Sequence, residues 1–366
     1  MKSIAIVSIL KPVNEVRMYE RFAQSLAKTN KYKTNIIGIP SKSQSHDENL
    51  IEFFTITNSN RDVSIRLFNL FQVFIILNKI KPDLIIITSP ELILPLLLLR
   101  IFKRAKIIYD IQEDYSNNIT FQRIYKGPMK RVNLFIHAQL HRLILKKAKH
   151  ILLAESIYEK QIETGGTPAI ILENKSTLTR WTYTNRAPHK LLFSGIISNY
   201  SGINRALEFF RNYQQSFPVA TLTIIGKSYD RKLIKQLNII AEENPAVHLI
   251  GLNEFVEHDL IKEAIYQSSL GIISYELNEV SQNRIPTKLF EYASAGLPFV
   301  VQSDSEWAQH SCGIDYSIPI DFNRPDYQKI LARQISILNS RESNSSSPAH
   351  WTSVEQQFTS CIDTLI

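Results

Sequence analysis

Cysteine is nearly absent: Cys312 and Cys361 are the two in 366 residues. They make no metal-ligand spacing and no disulfide framework, which fits a reducing compartment. Glycine is also sparse, with 11 residues. Neither a Gly-x-Gly-x-x-Gly fingerprint nor a Walker loop occurs, so two common glycine-based phosphate cradles are excluded. Long apolar runs are missing as well. Leu92–Leu99 is the longest and contains Pro95, far short of the roughly 20 residues that a spanning helix requires. The apolar opening, Ser3 to Leu10, meets Lys11-Pro12 with no small-residue cleavage site after it. It reads as a first strand, not a signal peptide. Without export, the Asn-x-Ser/Thr sites at Asn118, Asn174 and Asn199 carry no glycan message. His137 and His141 stand at helical spacing, but Ala138 fills the place of a zinc-protease glutamate. No Ser/His/Asp set with telling spacing occurs, and no metal or other cofactor is expected.

What is present suits two packed domains. The length is too great for one ordinary domain, and 44% hydrophobic with 21% charged residues supplies two cores. Forty-two Lys and Arg against thirty-four Asp and Glu give a net charge of +8. That balance favours anionic partners such as nucleotides, phosphorylated lipids or a membrane surface, with plain solubility charge as the alternative; no nucleic-acid partner is expected. Cations crowd one stretch, from Arg123, Lys126, Lys130 and Arg131 to Arg142, Lys146, Lys147 and Lys149, and Phe121, Tyr125, Phe135 and Ile136 are interleaved. Residues 121–149 therefore read either as a basic helix lying on an anionic membrane or as a solvated helix face.

Short β-branched runs alternate with helical periodicity. Strands are predicted at Ser3–Ile9, Lys33–Gly38, Asp83–Thr88, Lys106–Tyr109 and His150–Leu153, with helices at Arg17–Lys28, Val63–Lys79 and Pro128–Lys147 between them. Leu84-Ile85-Ile86-Ile87 is apolar on both faces, as a parallel sheet covered by helices demands. After the polar stretch Thr182–His189 the pattern restarts. Strands are predicted at Leu191–Ser194, Ala220–Ile225, Val247–Ile250, Leu270–Ile273 and Pro298–Val301, and helices at Ile203–Tyr213, Arg231–Glu242, Asp259–Gln267 and Thr287–Ala295. The reading is α/β with two Rossmann-like domains, 1–182 and 190–338, a Ser-rich connector at 339–350, and a final helix, 351–366, that packs back on the first domain.

The most informative segment runs from Asn283 and Arg284 through Pro286-Thr287-Lys288-Leu289-Phe290-Glu291-Tyr292 to Gly296-Leu297-Pro298. Pro286 and Thr287 open a helix, with Thr as a possible cap. A helix N-terminus suits a diphosphate, and Glu291, one turn in, is placed to accept hydrogen bonds from ribose hydroxyls. On residues alone the segment reads equally as a capped helix with a solvated Lys/Glu pair.

This segment resembles the signature of family-four glycosyltransferases, in the variant with a Pro-x-Lys-x-x-Glu-Tyr helix ahead of Gly-x-Pro. The resemblance implies the GT-B fold, two Rossmann-like domains facing across a cleft, and a nucleotide-sugar donor. It implies that Glu291 holds the ribose and that the backbone at Thr287–Leu289 meets the diphosphate. A second glutamate common in the family falls at Asn283, which is neutral. Four weaker matches lie in order along the chain. Tyr109-Asp110-Ile111-Gln112-Glu113 is similar to a Tyr-Asp-x-His-Glu loop, making Asp110, Gln112 and Glu113 the candidate catalytic groups, although Gln112 cannot take a proton as the usual His can. Ser89-Pro90-Glu91-Leu92 resembles Asp-Pro-Glu-Leu and also reads as a plain helix start with Ser89 as cap. Ser194-Gly195-Ile196, with Ser201-Gly202, matches the glycine loop of the second domain, but Ile196 and Ser201 replace the phosphate-binding Arg and Lys. Glu15-Val16-Arg17 fits an acid-x-Arg pattern, placing Asn14 and Arg17 in an acceptor or phosphate loop. The remaining cations for the donor phosphates are Lys288 first, then Lys227, with Arg284, and Gly195 lies beside them.

The resemblance implies a retaining, metal-independent sugar transferase working on a glycan or lipid-linked acceptor in bacterial surface polysaccharide assembly, cytoplasmic and peripheral on the inner membrane face. The substitutions at Gln112, Ile196 and Ser201 also motivate a non-catalytic homologue that binds a sugar or a partner. A nucleotide-sugar epimerase is the other rival, since fold alone does not choose.

Overall fold

The computed structural model of the protein describes residues 1–41, 50–57, 63–99, 105–113, 128–179, 188–276, 284–339 and 347–366, with the backbone alone at 63 and 128–130. The chain divides into two compact units: Met1–Asn174 with Val354–Ile366, and Lys175–Ser353.

The first unit is built on seven parallel strands: β1 (Lys2–Pro12), β2 (Tyr32–Ile39), β3 (Ile51–Thr55), β4 (Leu84–Ile87), β5 (Lys106–Ile111), β6 (His150–Leu153) and β7 (Ala169–Ile171). Their order is β3-β2-β1-β4-β5-β6-β7, so the winding reverses between β1 and β4. Every residue of β4 is fully buried, and so are the neighbouring Ile4–Val7 of β1 and Ile107–Ile108 of β5, as expected of central parallel strands covered on both faces. Around the sheet lie a π-helical stretch, Arg17–Ala23, leading into α1 (Gln24–Lys28), then α2 (Val63–Ile80), α3 (Ile93–Leu98), α4 (Pro128–Leu145) and α5 (Tyr158–Gln161). Pro95 sits within the first turn of α3, where its missing N–H breaks no helical bond.

The second unit repeats the plan with six parallel strands, β8 (Lys190–Ser194), β9 (Thr221–Lys227), β10 (Val247–Leu252), β11 (Leu270–Ile273), β12 (Phe299–Gln302) and β13 (Ser317–Ile320). The order is β10-β9-β8-β11-β12-β13, reversing between β8 and β11. Its helices are α6 (Ile203–Ser216), α7 (Arg231–Glu243), α8 (His258–Gln267), α9 (Thr287–Ser294) and α10 (Tyr327–Asn339). The last helix, α11 (Thr352–Leu365), lies almost wholly in the first unit. Phe358 stacks on Phe22 at 4.5 Å, and Glu355 accepts from Ser25 Oγ at 2.7 Å and from Lys28 Nζ at 2.9 Å.

Two local expectations are corrected. Pro286, extended at φ −62° and ψ 131°, holds the cap position of α9, and Thr287 is its first helical residue. Proline has no side-chain acceptor, so no side chain caps the helix. Ser89 also precedes its helix without capping it, and its hydroxyl is buried with no hydrogen-bond partner among the described residues.

Candidate functional site

Open α/β sheets take ligands beyond the carboxyl ends of the strands where the order reverses. In the second unit that place is the exit of β8 and β11. Gly195 follows β8 with φ +98°, and Gly226, at φ +144°, touches it: a Cβ on Gly226 would lie 1.8 Å from the Gly195 carbonyl oxygen. Only glycine allows this approach.

Lys288 occupies the middle of this end of the unit. Its side chain runs beside Gly195, where an added Cβ would be 4.0 Å from Lys288 Cε. Its Nζ lies 4.2 Å from the Phe193 ring centroid and 5.0 Å from that of Tyr275, just beyond β11. The residue is 3% exposed, and no hydrogen-bond acceptor among the described residues reaches its ammonium. Burial pushes its pKa from 10.5 down to about 7, against the opposing pull of Glu291. A buried ammonium held by two ring faces, with no acceptor in hydrogen-bond reach among the described residues, is the arrangement of a site prepared for an anion.

Glu291 sits one turn further along α9, where Oε1 is 3.4 Å from His258 Nε2 at the start of α8. Thr287 is exposed at the first helical position. The side chain of Leu289 is wholly in the core and its N–H bonds to the Pro286 carbonyl at 2.9 Å, so the uncapped N–H groups of α9 are those of Thr287 and Lys288. Tyr292 anchors the helix, its hydroxyl 2.9 Å from Ser194 Oγ at the end of β8. Lys227 ends β9 with Nζ 3.9 Å from the Phe255 centroid and 4.9 Å from that of Tyr229. Both rings are more than half exposed. The Arg284 carbonyl accepts from Trp307 Nε1 at 2.7 Å. Asn283 lies outside the described residues.

In the first unit the corresponding end carries a polar network. Arg17, 1% exposed, donates from Nε and Nη2 to Asp110, 0% exposed, at 2.8–3.1 Å, and from Nη1 to the Leu172 carbonyl at 2.7 Å and Asn174 Oδ1 at 3.0 Å. Gln112 Nε2 donates to Asp110 Oδ2 at 2.6 Å, and Gln112 Oε1 accepts from Lys11. Lys11 also pairs with Glu15 at 2.9 Å. Burial would raise the Glu15 carboxyl, but Lys11, the Met18 N–H and Arg21 outweigh it and hold the pKa below its ordinary value. Asp110 and Arg17 therefore hold each other and the ends of the strands, while Gln112, 7% exposed, and the exposed Glu113 form the outer layer. Asn14 is half-buried in the loop after β1. Glu91, of the Ser89-Pro90-Glu91-Leu92 match, pairs with Arg66 at 2.5 Å.

Sequence reasoning brought Lys288, Glu291 and Gly195 to one end of the second unit and Arg17, Asp110 and Gln112 to one end of the first. It gave no role to Phe193 and Lys11, which stand inside matched segments, and missed Tyr275 and His258, whose positions carry no motif.

No family model and no curated protein sequence matches the chain. Solved structures do. Sucrose-phosphate synthase from Thermosynechococcus elongatus matches at a TM-score of 0.66 and 12% identity over 100% of this chain and 99% of that one. Anabaena HepE in complex with UDP and glucose matches at 0.64 and 12%, covering 100% of both chains. A putative UDP-N-acetylglucosamine 2-epimerase from Listeria monocytogenes matches at 0.60 and 11%, over 99% and 96%. The likeness shows the fold: two Rossmann-like units of the GT-B kind.

Proposed function

We propose that the protein is a glycosyltransferase that moves a hexosyl or related sugar from a nucleoside-diphosphate donor to a glycan or lipid-linked acceptor, with retention, in bacterial surface polysaccharide assembly. One observation carries the reading: the buried ammonium of Lys288 at the switch point of the second sheet, which no hydrogen-bond acceptor among the described residues reaches. It supplies the positive charge that a departing diphosphate needs where Ile196 and Ser201 cannot, and the free N–H groups at the start of α9 add to it. Glu291, held near His258, receives the ribose hydroxyls. Lys227, between the exposed rings of Tyr229 and Phe255, offers a second cation flanked by stacking surface. HepE binds UDP, and UDP is the nucleotide to try first.

In the transfer, the bond from the sugar's anomeric carbon to the diphosphate oxygen breaks with its electron pair passing to that oxygen. The acceptor hydroxyl bonds to the same carbon and its proton goes to the departing diphosphate. This route fits Gln112, which cannot accept a proton. Asp110, already committed to Arg17, acts by positioning Gln112. No metal is invoked, since Lys288 supplies the charge.

The test is a thermal-shift panel of UDP, GDP, dTDP, ADP and CMP on wild type and Glu291→Ala. One nucleotide should raise the wild-type midpoint, and the variant should lose that rise. No rise with any nucleotide defeats the reading. With the donor sugar supplied, release of nucleotide marks a transferase, isomerisation without acceptor an epimerase, and binding without turnover a non-catalytic subunit.

A further inference from the structure

The first unit exposes an apolar face made by three successive helices. On α2, Leu67, Phe68, Phe71 and Ile75 are 50–61% exposed, and α-helical geometry puts all four on one side with Lys79 at its end. On α3, which packs against α2, Leu94 and Leu98 are 39% and 74% exposed. On α4, which packs against α3, Val132, Phe135 and Ile136 are 49–65% exposed. Arg131 and Arg142 share that exposed side of α4, and Lys146 and Lys147 follow it. None of the three helices contains an aspartate or glutamate. The nearby Glu91 is already paired with Arg66. The second unit is different: its exposed ring pair, Tyr229 and Phe255, flanks Lys227 at the candidate site, and α6, α7 and α8 all carry acids.

We propose that the α2–α3–α4 face docks on an anionic lipid bilayer, with α2 and α3 supplying the apolar anchor and the ends of α2 and α4 the cations. A contiguous apolar patch of this kind marks an interaction surface. A surface that is apolar, cationic and without acids matches a partner that is apolar and anionic, which is a membrane with acidic headgroups. A second copy of the chain fits poorly, because a two-fold interface would set Arg131, Arg142 and Lys146 against the same acid-free face. The 121–149 stretch supplies only the α4 part of this surface, and 121–127 lie outside the described residues. The inference deepens the proposed function by naming where a lipid-linked acceptor would be met. Its physics needs neither donor nor acceptor, so the two readings fail separately.

The full chain is sedimented with phosphatidylcholine vesicles and with vesicles containing phosphatidylglycerol, without nucleotide. Binding should be at least roughly tenfold stronger to the anionic vesicles and lost near 1 M salt, where the screening length is about 3 Å. Leu67→Glu/Phe71→Glu and Arg131→Glu/Arg142→Glu should each weaken it by roughly tenfold or more while leaving the melting midpoint and any nucleotide shift in place. Equal binding to neutral vesicles, no binding to either, or unchanged binding by both variants overturns the proposal. So does a dimer in solution that the Leu67→Glu/Phe71→Glu variant dissolves, since the face then belongs to a second copy.

Discussion

Replacing Lys288 with methionine should stabilise the protein and abolish its capture of nucleoside diphosphates. Burial lowers the lysine from 10.5 to about 7, so at pH 6 the folded state carries a buried charge that the unfolded state solvates freely. That difference corresponds to roughly 5 kcal/mol against folding. The ring faces of Phe193 and Tyr275 return about 1–2 kcal/mol each, leaving a net gain of about 1–3 kcal/mol for methionine. For a unit of this size that is a rise of roughly 3–10 °C in the melting midpoint at pH 6. The sign has a pH signature. Between about 7 and 10.5 the unfolded lysine binds more protons than the folded one, so wild-type stability climbs with pH. The advantage of Lys288→Met therefore shrinks through that window. Melting curves of both proteins at pH 6, 8 and 9.5, with and without nucleotide, measure this directly. A variant less stable than wild type at pH 6, or one that keeps the nucleotide shift, would refute the reasoning.

Three further outcomes are expected. Above pH 7 nucleotide binding should take up a proton and weaken about tenfold per pH unit as the free lysine becomes neutral; titration calorimetry in buffers of different ionisation enthalpy reads the proton. Asp110→Asn should lose about 3–5 kcal/mol of stability by leaving Arg17 buried without its counter-charge, visible as a lower urea midpoint, while the nucleotide shift persists because Lys288 and Glu291 belong to the other unit. Gly226→Ala should lower the melting midpoint and the nucleotide shift together, because its Cβ would meet the Gly195 carbonyl at 1.8 Å.

The central strands were legible because burial on both faces leaves an unbroken apolar run, as in Leu84–Ile87. Of the edge strands β10 was legible too, but β3, β7 and β13 were not. Ala169–Ile171 is half-exposed, and Ser317–Ile320 is interrupted by Pro319, so neither carries that pattern. Helix α3 hid in an apolar run with Pro95 inside it, and the start of the Arg17–Lys28 helix is wound more widely than its periodicity suggested. At the site, Lys288 and Glu291 could be singled out because a proline, a lysine and a glutamate at these offsets resemble a known transferase signature; the spacing alone read equally as a capped helix. The surroundings of the Lys288 ammonium could not, since they depend on Phe193 of β8 and Tyr275, just beyond β11, arriving from other parts of the chain. The pairing of Arg17 with Asp110 joins residues far apart in the chain, and spacing says nothing about it.

The passage of the chain between the units has a consequence for its synthesis. Residues 175–353 form a continuous insertion within the first unit, and the two segments that cross are tied together at its root: Ser176 N–H bonds to the Ala349 carbonyl at 2.9 Å and Trp351 N–H to the Ser176 carbonyl at 2.7 Å. A ribosome moving from the N-terminus thus completes the inserted unit before the unit that contains it. The first sheet must wait, with Phe22 uncovered, until Phe358 emerges. A chain stopped at Ser353 would hold every residue of the inserted unit and leave the older half of the molecule open.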